Sequence, residues 1–181
     1  MVEIQSTIFN GLYILSYQMH RDKRGTFRKI FNSLDFCTEN LDFQIQELYY
    51  SVNNKNAIRG MHFQIPPADH AKIVYVISGC ITDVCIDLRK GSNTFGQYFC
   101  ITLDDIYSKY LFIPKGFAHG FSVHADDTIV HYAQTTCHQP DYDNGIKYDS
   151  FGYKWNIENP IVSDRDLQFP ALSDFKTPFI L

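Results

Sequence analysis

The sequence predicts an all-β fold, a jelly-roll-like sandwich or barrel, and three observations carry that prediction. Short apolar stretches recur with Gly, Asn, Asp and Pro between them, which is the rhythm of antiparallel strands. Aromatic residues make up 15%, with 12 Tyr and 15 Phe, and together with β-branched residues they favour pleated, half-buried surfaces. Helix-period patterning is scarce. A chain of 181 residues is long enough for one well-cored domain and short for two, so a single domain over residues 1–181 is expected.

Taken in order, Ser33 to Leu41 reads as one short helix with Ser33 as its N-cap. Strands are expected at 43–52, 58–64 and 72–78. Gly79-Cys80 then gives a tight connection into the clearest strand, Ile81 to Leu88. Along it Thr82, Val84, Ile86 and Leu88 form one apolar face, while Asp83 and Asp87 fall on the other. Lys90-Gly91-Ser92-Asn93 reads as a turn, and further strands are expected at 97–103, 110–113, 117–124 and 128–135. After Gln139-Pro140 the chain becomes turn-rich, through Pro170 and Pro178 to an apolar tail.

The formal net charge of -4 gives no long-range attraction to nucleic acid or to an anionic membrane. No apolar run approaches a bilayer span, and the opening Met1-Val2-Glu3-Ile4-Gln5 lacks a basic-then-apolar leader, so a cytoplasmic location is expected. Cysteines 37, 80, 85, 100 and 137 lie mostly in apolar stretches with no Cys-x-x-Cys pair. They read as reduced, buried thiols, and a zinc ribbon is excluded.

Three segments concentrate reactive side chains on predicted strands. They are Arg59-Gly60-Met61-His62-Phe63-Gln64 followed by Lys72, then Pro114-Lys115-Gly116-Phe117-Ala118-His119-Gly120, and finally His131-Tyr132. The second resembles the cupin signature Pro-x-Gly-x-x-His. Metal-binding cupins add a His-x-His pair and a Glu on an earlier strand. Here Gln64 stands where the second His would be and the Glu is missing, while His70 and His124 are not at a recognisable ligand spacing. No metal and no cofactor are therefore expected.

The same barrel offers a base in His62, cations in Arg59 and Lys72, a phenol in Tyr132 and a second imidazole in His119. That set suits abstraction of a carbon-bound proton next to a carbonyl, stabilisation of the enolate, and proton return from the opposite face. Each residue also has an ordinary reading. His119 can hydrogen-bond in a core, Tyr132 is one of 12 tyrosines, Lys72 opens a strand where a solvated lysine is usual, and Arg59-Gly60 reads equally as a turn. Spacing alone does not decide between them.

Six segments in one order resemble the dTDP-4-dehydrorhamnose 3,5-epimerase family. They are DKRGTF at 22–27, IRGMHFQ at 58–64, AKIVYVISG at 71–79, VCIDLRKGSNTFGQY at 84–98, FIPKGFAHGF at 112–121 and PIVSDRD at 160–166. The resemblance implies a metal-free, homodimeric jelly roll that inverts carbons 3 and 5 of a nucleotide-diphosphate-linked 4-keto sugar. It assigns His62 as base, Asp166 as the carboxylate that holds it, Tyr132 as acid and Lys72 as the cation at the keto oxygen. Arg59 and His119 match the sugar and diphosphate pocket, with Gln64 beside them. Arg24 and Phe27 match a nucleotide loop that in the family reaches the neighbouring subunit's site.

Two positions depart from the family pattern. Lys29 stands where a glutamate usually helps hold thymine, and His138 stands where a tyrosine usually stacks. A lysine cannot accept from thymine's imide N–H, but it can donate to the O6 and N7 acceptors of guanine. These departures resemble the branch of the family that acts on GDP-linked 4-keto heptoses for bacterial capsules, and that resemblance makes a GDP-linked 4-keto heptose the leading expectation, with a dTDP-linked 6-deoxyhexose as the alternative. Inversion at carbon 3 alone, a metal-dependent cupin oxygenase and a non-catalytic sugar-binding cupin are the competing readings.

Overall fold

The computed structural model describes residues 1–181. In chain order its strands are β1 (Glu3–Ser6), β2 (Tyr13–Ser16), β3 (His20–Asp22), β4 (Gly25–Phe27), β5 (Glu47–Asn53), β6 (Ile58–Gln64), β7 (Lys72–Ser78), β8 (Cys80–Asp87), β9 (Tyr98–Asp104), β10 (Lys109–Ile113), β11 (Phe117–Val123), β12 (Thr128–Gln134) and β13 (Asp143–Gly145). Two short helices, α1 (Ser33–Thr38) and α2 (Asp164–Leu167), complete it. One sheet runs β1-β2-β10-β7-β12-β5 and faces a second, β13-β6-β11-β8-β9, with β3-β4 as a separate hairpin. Every pairing within the sheets is antiparallel, and neighbours in space are rarely neighbours in sequence, which is the jelly-roll pattern.

Three apolar layers hold the sheets. Between them, Val74, Val76, Leu111 and Val130 meet Ile81, Cys85, Phe117 and Phe121. The outer side of the six-stranded sheet packs Leu15, Ile73 and Phe112 under Phe36 and Phe43. The outer side of the five-stranded sheet packs Ile58, Met61, Val84 and Ile86 under Ile146, Trp155 and Phe179. Each such side chain contributes about 1.5–3 kcal/mol when fully buried. The turn-rich C-terminus is therefore the second cover of a sheet.

The alternation read along 81–88 holds, and the layering shows where each face points. Val84, Ile86 and Leu88 face outward onto the C-terminal segment, whereas Ile81 and Cys85 point between the sheets. Asp83 and Asp87, on the face opposite Val84 and Ile86, are fully buried. The expected strand 43–52 starts at Glu47, because Phe43 leaves the sheet to pack beside Phe36 at 5.9 Å. The short helix ends at Thr38, and its N-cap is Asn32, whose side chain accepts from the Leu34 N–H at 3.1 Å. The thiols also differ from expectation: Cys85 is buried, Cys80 half-buried, and Cys37, Cys100 and Cys137 exposed, all five free.

Candidate active site

Side chains alternate across a strand, so one face of each sheet looks into the space between them. Glu47, Tyr49, His62, Gln64, His70, Lys72, Gln134, His138, Asp143 and Arg165 line a cavity of about 310 Å³ there. β6 and β11 stand side by side, with His62 and His119 directly opposed in register. Their close approach depends on glycine. A Cβ on Gly60 would sit 2.5 Å from the Gly120 Cα, at a φ of +133° that only glycine adopts easily.

Each histidine is held by a carboxylate. His62 Nε2 donates to Asp166 Oδ1 at 2.9 Å, and the other oxygen of Asp166 accepts the Gly60 N–H at 3.0 Å. An ionised carboxylate only accepts, so this contact places the proton on Nε2 and leaves Nδ1 with its lone pair. Ser163 caps α2 by accepting the Asp166 N–H at 3.1 Å, which fixes where the carboxylate points. Burial raises the Asp166 carboxyl, but the bonds from His62, Gly60 and Ser163 outweigh it and hold the group below its usual range. His119 Nε2 donates to the fully buried Asp83 at 2.7 Å. Burial pushes this imidazole down despite Asp83, so it stays neutral at pH 7.

Lys72 is buried rather than solvated, and burial lowers its ammonium to about 8, with the Asp83 and Asp143 carboxylates opposing the shift. Tyr132 is buried between the sheets and stacked on Tyr49, ring centroids 4.6 Å apart and 15° from parallel. Its hydroxyl lies 3.2 Å from Ser51 Oγ. Burial raises the Tyr132 phenol well above its ordinary value, and Tyr49 is pushed up to about 12, so both are neutral phenols. Tyr49 borders the cavity and Tyr132 lies against its ring.

The remaining predicted residues divide. Arg59 does not line this cavity: it lies exposed in an adjoining hollow that shares His62 and Arg165 with it, and donates to Asn53 Oδ1 at 2.6 Å. Gln64 lines the cavity with its amide engaged internally: Oε1 accepts the Gln139 N–H at 2.6 Å and Nε2 donates to Ala68 O at 2.9 Å. His138 lines it too, its N–H held by Glu47 at 2.5 Å. Arg24, Phe27 and Lys29 do not reach this cavity. Arg24 pairs with Asp22 in the exposed β3-β4 hairpin, and Lys29 lies 5.8 Å from the Tyr17 ring centroid. His131, beside Tyr132, faces outward and stacks on Tyr75 at 4.8 Å.

Glu47, Tyr49, Ser51, Asn53, His70, Asp83, Gln134, Asp143 and Arg165 went unnamed as site residues in the sequence reading. The period-2 spacing of 47, 49, 51 and 53 was the available signal for the first four. Asp83 was visible as an acid on an otherwise apolar strand.

The family model for dTDP-4-dehydrorhamnose 3,5-epimerase matches residues 6–174. The chain is 35% identical over 173 residues to the dTDP-4-dehydrorhamnose 3,5-epimerase of Methanothermobacter thermautotrophicus, covering 93% of each. Its structure is similar to that of the Bacillus anthracis dTDP-4-dehydrorhamnose 3,5-epimerase with TDP and PPi bound. That pair has a TM-score of 0.92 and 32% identity, covering 95% of this chain and 100% of the other. A dTDP-6-deoxy-D-glucose-3,5-epimerase from Legionella pneumophila, in complex with dTDP-4-keto-L-rhamnose, superposes with a TM-score of 0.91 at 28% identity, covering 97% and 95%. With an all-β two-sheet architecture and this match along nearly its whole length, the chain belongs to the dTDP-4-dehydrorhamnose 3,5-epimerase family, and it is an isomerase that epimerises nucleotide-linked sugars.

Proposed function

We propose that this enzyme inverts carbons 3 and 5 of a dTDP-linked 4-keto-6-deoxyhexose. The observation that carries the reading is the His62–Asp166 pair at 2.9 Å, on the wall of a cavity that also holds the buried Lys72. His62 Nδ1 takes the proton next to the keto carbon, and Lys72 donates to the oxygen on which the negative charge gathers. Tyr132 returns a proton to the opposite face of the ring carbon. Arg59 and His119 serve the sugar and diphosphate, with Gln64 and His138 as walls. The GDP-linked heptose suggested by Lys29 draws no support from the relatives, whose names and ligands are dTDP-linked.

A second copy of the chain belongs to the same proposal. Arg24, Phe27 and Lys29 lie away from their own cavity, which fits a hairpin that completes the nucleotide site of a partner in a homodimer. A cytoplasmic location also belongs to it, and fractionation of cells expressing the tagged chain tests that part. No helix is long and apolar enough to cross a membrane.

The test is incubation in deuterium oxide with dTDP-4-keto-6-deoxyglucose and, separately, a GDP-linked 4-keto heptose, read by mass and proton spectra. Deuterium entering at carbons 3 and 5 of the dTDP sugar, with inversion, is the expected result, and His62→Asn should abolish it. Label from the GDP sugar alone would overturn the nucleotide, and label at carbon 3 alone would overturn the second inversion. Loss of inversion in Tyr49→Phe but not in Tyr132→Phe would move the acid to the phenol that borders the cavity.

A further inference from the structure

Tyr49, Ser51 and Asn53 project in succession from the inner face of β5, and each is tied to the surroundings of Tyr132. Tyr49 is the register partner of Tyr132 and stacks on its ring. Ser51 Oγ is the hydrogen-bond partner of its hydroxyl. Asn53 is almost wholly buried, and its amide orientation follows from two independent contacts. Arg59 Nε, which can only donate, lies 2.6 Å from Asn53 Oδ1, and Thr128 O, which can only accept, lies 2.9 Å from Asn53 Nδ2. The second Nδ2 hydrogen is therefore shared between Ser51 Oγ, at 3.0 Å, and the Ser51 carbonyl, at 3.1 Å.

The Ser51 hydroxyl thus receives one hydrogen bond, and its own proton has the Tyr132 oxygen as partner at 3.2 Å. Two hydroxyls that share one bond leave one proton over. The relay starts on the Arg59 cation, and each link polarises the next in the same sense, so the Ser51 O–H is strengthened as a donor and weakened as an acceptor. The leftover proton is then the one on Tyr132.

We propose that Ser51, oriented by Asn53 and Arg59, is a positioning residue for the acid: it donates to the Tyr132 oxygen, leaves the phenolic proton for the substrate, and holds the phenolate that transfer creates. The step balances. The enolate's electron pair forms the new C–H bond while the Tyr132 O–H bond breaks, its electron pair stays on oxygen, and water later restores the proton. During transfer the Ser51 bond becomes charge-assisted and stronger, so it favours the transition state over the resting site.

The inference rests on the reading of Tyr132 as the acid, and the experiment separates the two. With dTDP-4-keto-6-deoxyglucose in deuterium oxide, label entering carbon 3 is measured by mass, and inversion is measured by proton couplings. Tyr132→Phe should keep the label and lose the inversion, since His62 still removes and returns the proton on its own face. Ser51→Ala should do the same in part, inversion falling on the order of 100-fold while label is retained, as for loss of one aimed donor. Ser51→Thr, which keeps the hydroxyl, should restore most of it. Proportional loss of label and inversion in Ser51→Ala, or no loss of either, would overturn the role of Ser51 while leaving Tyr132 as acid. Inversion surviving in Tyr132→Phe would overturn the acid assignment itself.

Discussion

Lys72 shows how burial sets chemistry at a single residue. Enclosure pushes its ammonium down to about 8, against the pull of Asp83 and Asp143. If the charged form holds the enolate, kcat falls as pH rises through about 8. The neighbouring phenol titrates much higher and does not contribute that limb. Lys72→Arg keeps its charge at every accessible pH, so its pH–rate profile should lose the basic limb at whatever rate remains. An unchanged limb in Lys72→Arg would assign the titration to another group. The sign for stability is opposite to that of a paired lysine. Because the folded value lies below lysine's ordinary value of 10.5, the unfolded chain binds the extra proton between the two. The cost of burying Lys72 is therefore full below about pH 8 and fades as pH rises toward the unfolded value.

At the scale of the element, the end of β8 carries a buried ion pair that fixes the turn after it. Asp87 accepts from Arg89 Nε at 2.9 Å and Nη2 at 2.8 Å, and from Ser92 Oγ at 2.6 Å and Thr94 Oγ1 at 2.7 Å. The guanidinium lies 4.5 Å from the Phe117 ring centroid. This network accounts for the run Asp87-Leu88-Arg89-Lys90-Gly91-Ser92-Asn93-Thr94, because every acceptor site of one carboxylate is filled from a single turn. Asp87→Ala leaves the Arg89 charge buried without its partner, so a loss of about 3–5 kcal/mol is expected. In a chain of this size that is a fall in Tm on the order of 10 °C, read by thermal unfolding. A change below about 1 kcal/mol would show that water reaches the guanidinium and replaces the carboxylate.

At the scale of the molecule, the two sheets are covered unequally. Phe36 and Phe43 cover one part of the outer side of the six-stranded sheet, while Leu48, Tyr50 and Val52 on β5 and Ile77 on β7 stay exposed. β5 is also the last strand of its sheet, so one edge carries free backbone groups. This apolar face is the surface we assign to the second copy of the proposed dimer. Tyr50→Arg should dissociate it in sedimentation velocity and weaken nucleotide binding, because each hairpin with Arg24 would lose its partner site. A wild-type chain that sediments as a monomer at micromolar concentration would overturn the dimer.

The strands from 58 to 134 were legible in the sequence to within about a residue at each end, because alternation and turn residues are local signals. β1 to β4 were not, being short or buried on both faces, as Ile14 and Leu15 are, so no alternation marks them. Of the site, His62, Lys72, His119 and Tyr132 stood out because their types and segments suggested acid–base work, and Asp166 through the resemblance. The sequence by itself thus determined the fold class and the family, and it named the candidate reactive groups. Only the tertiary structure decided that Asp166 reaches across 104 positions to His62, that Asp83 is buried against His119, and that β5 surrounds Tyr132 with a stacked ring and a hydroxyl partner. It also placed Arg24, Phe27 and Lys29 outside the cavity of their own chain. The physical reason is range. Periodicity and turn chemistry act over a few residues, whereas a proton's direction and a lysine's charge depend on partners that only the closing of two sheets brings together.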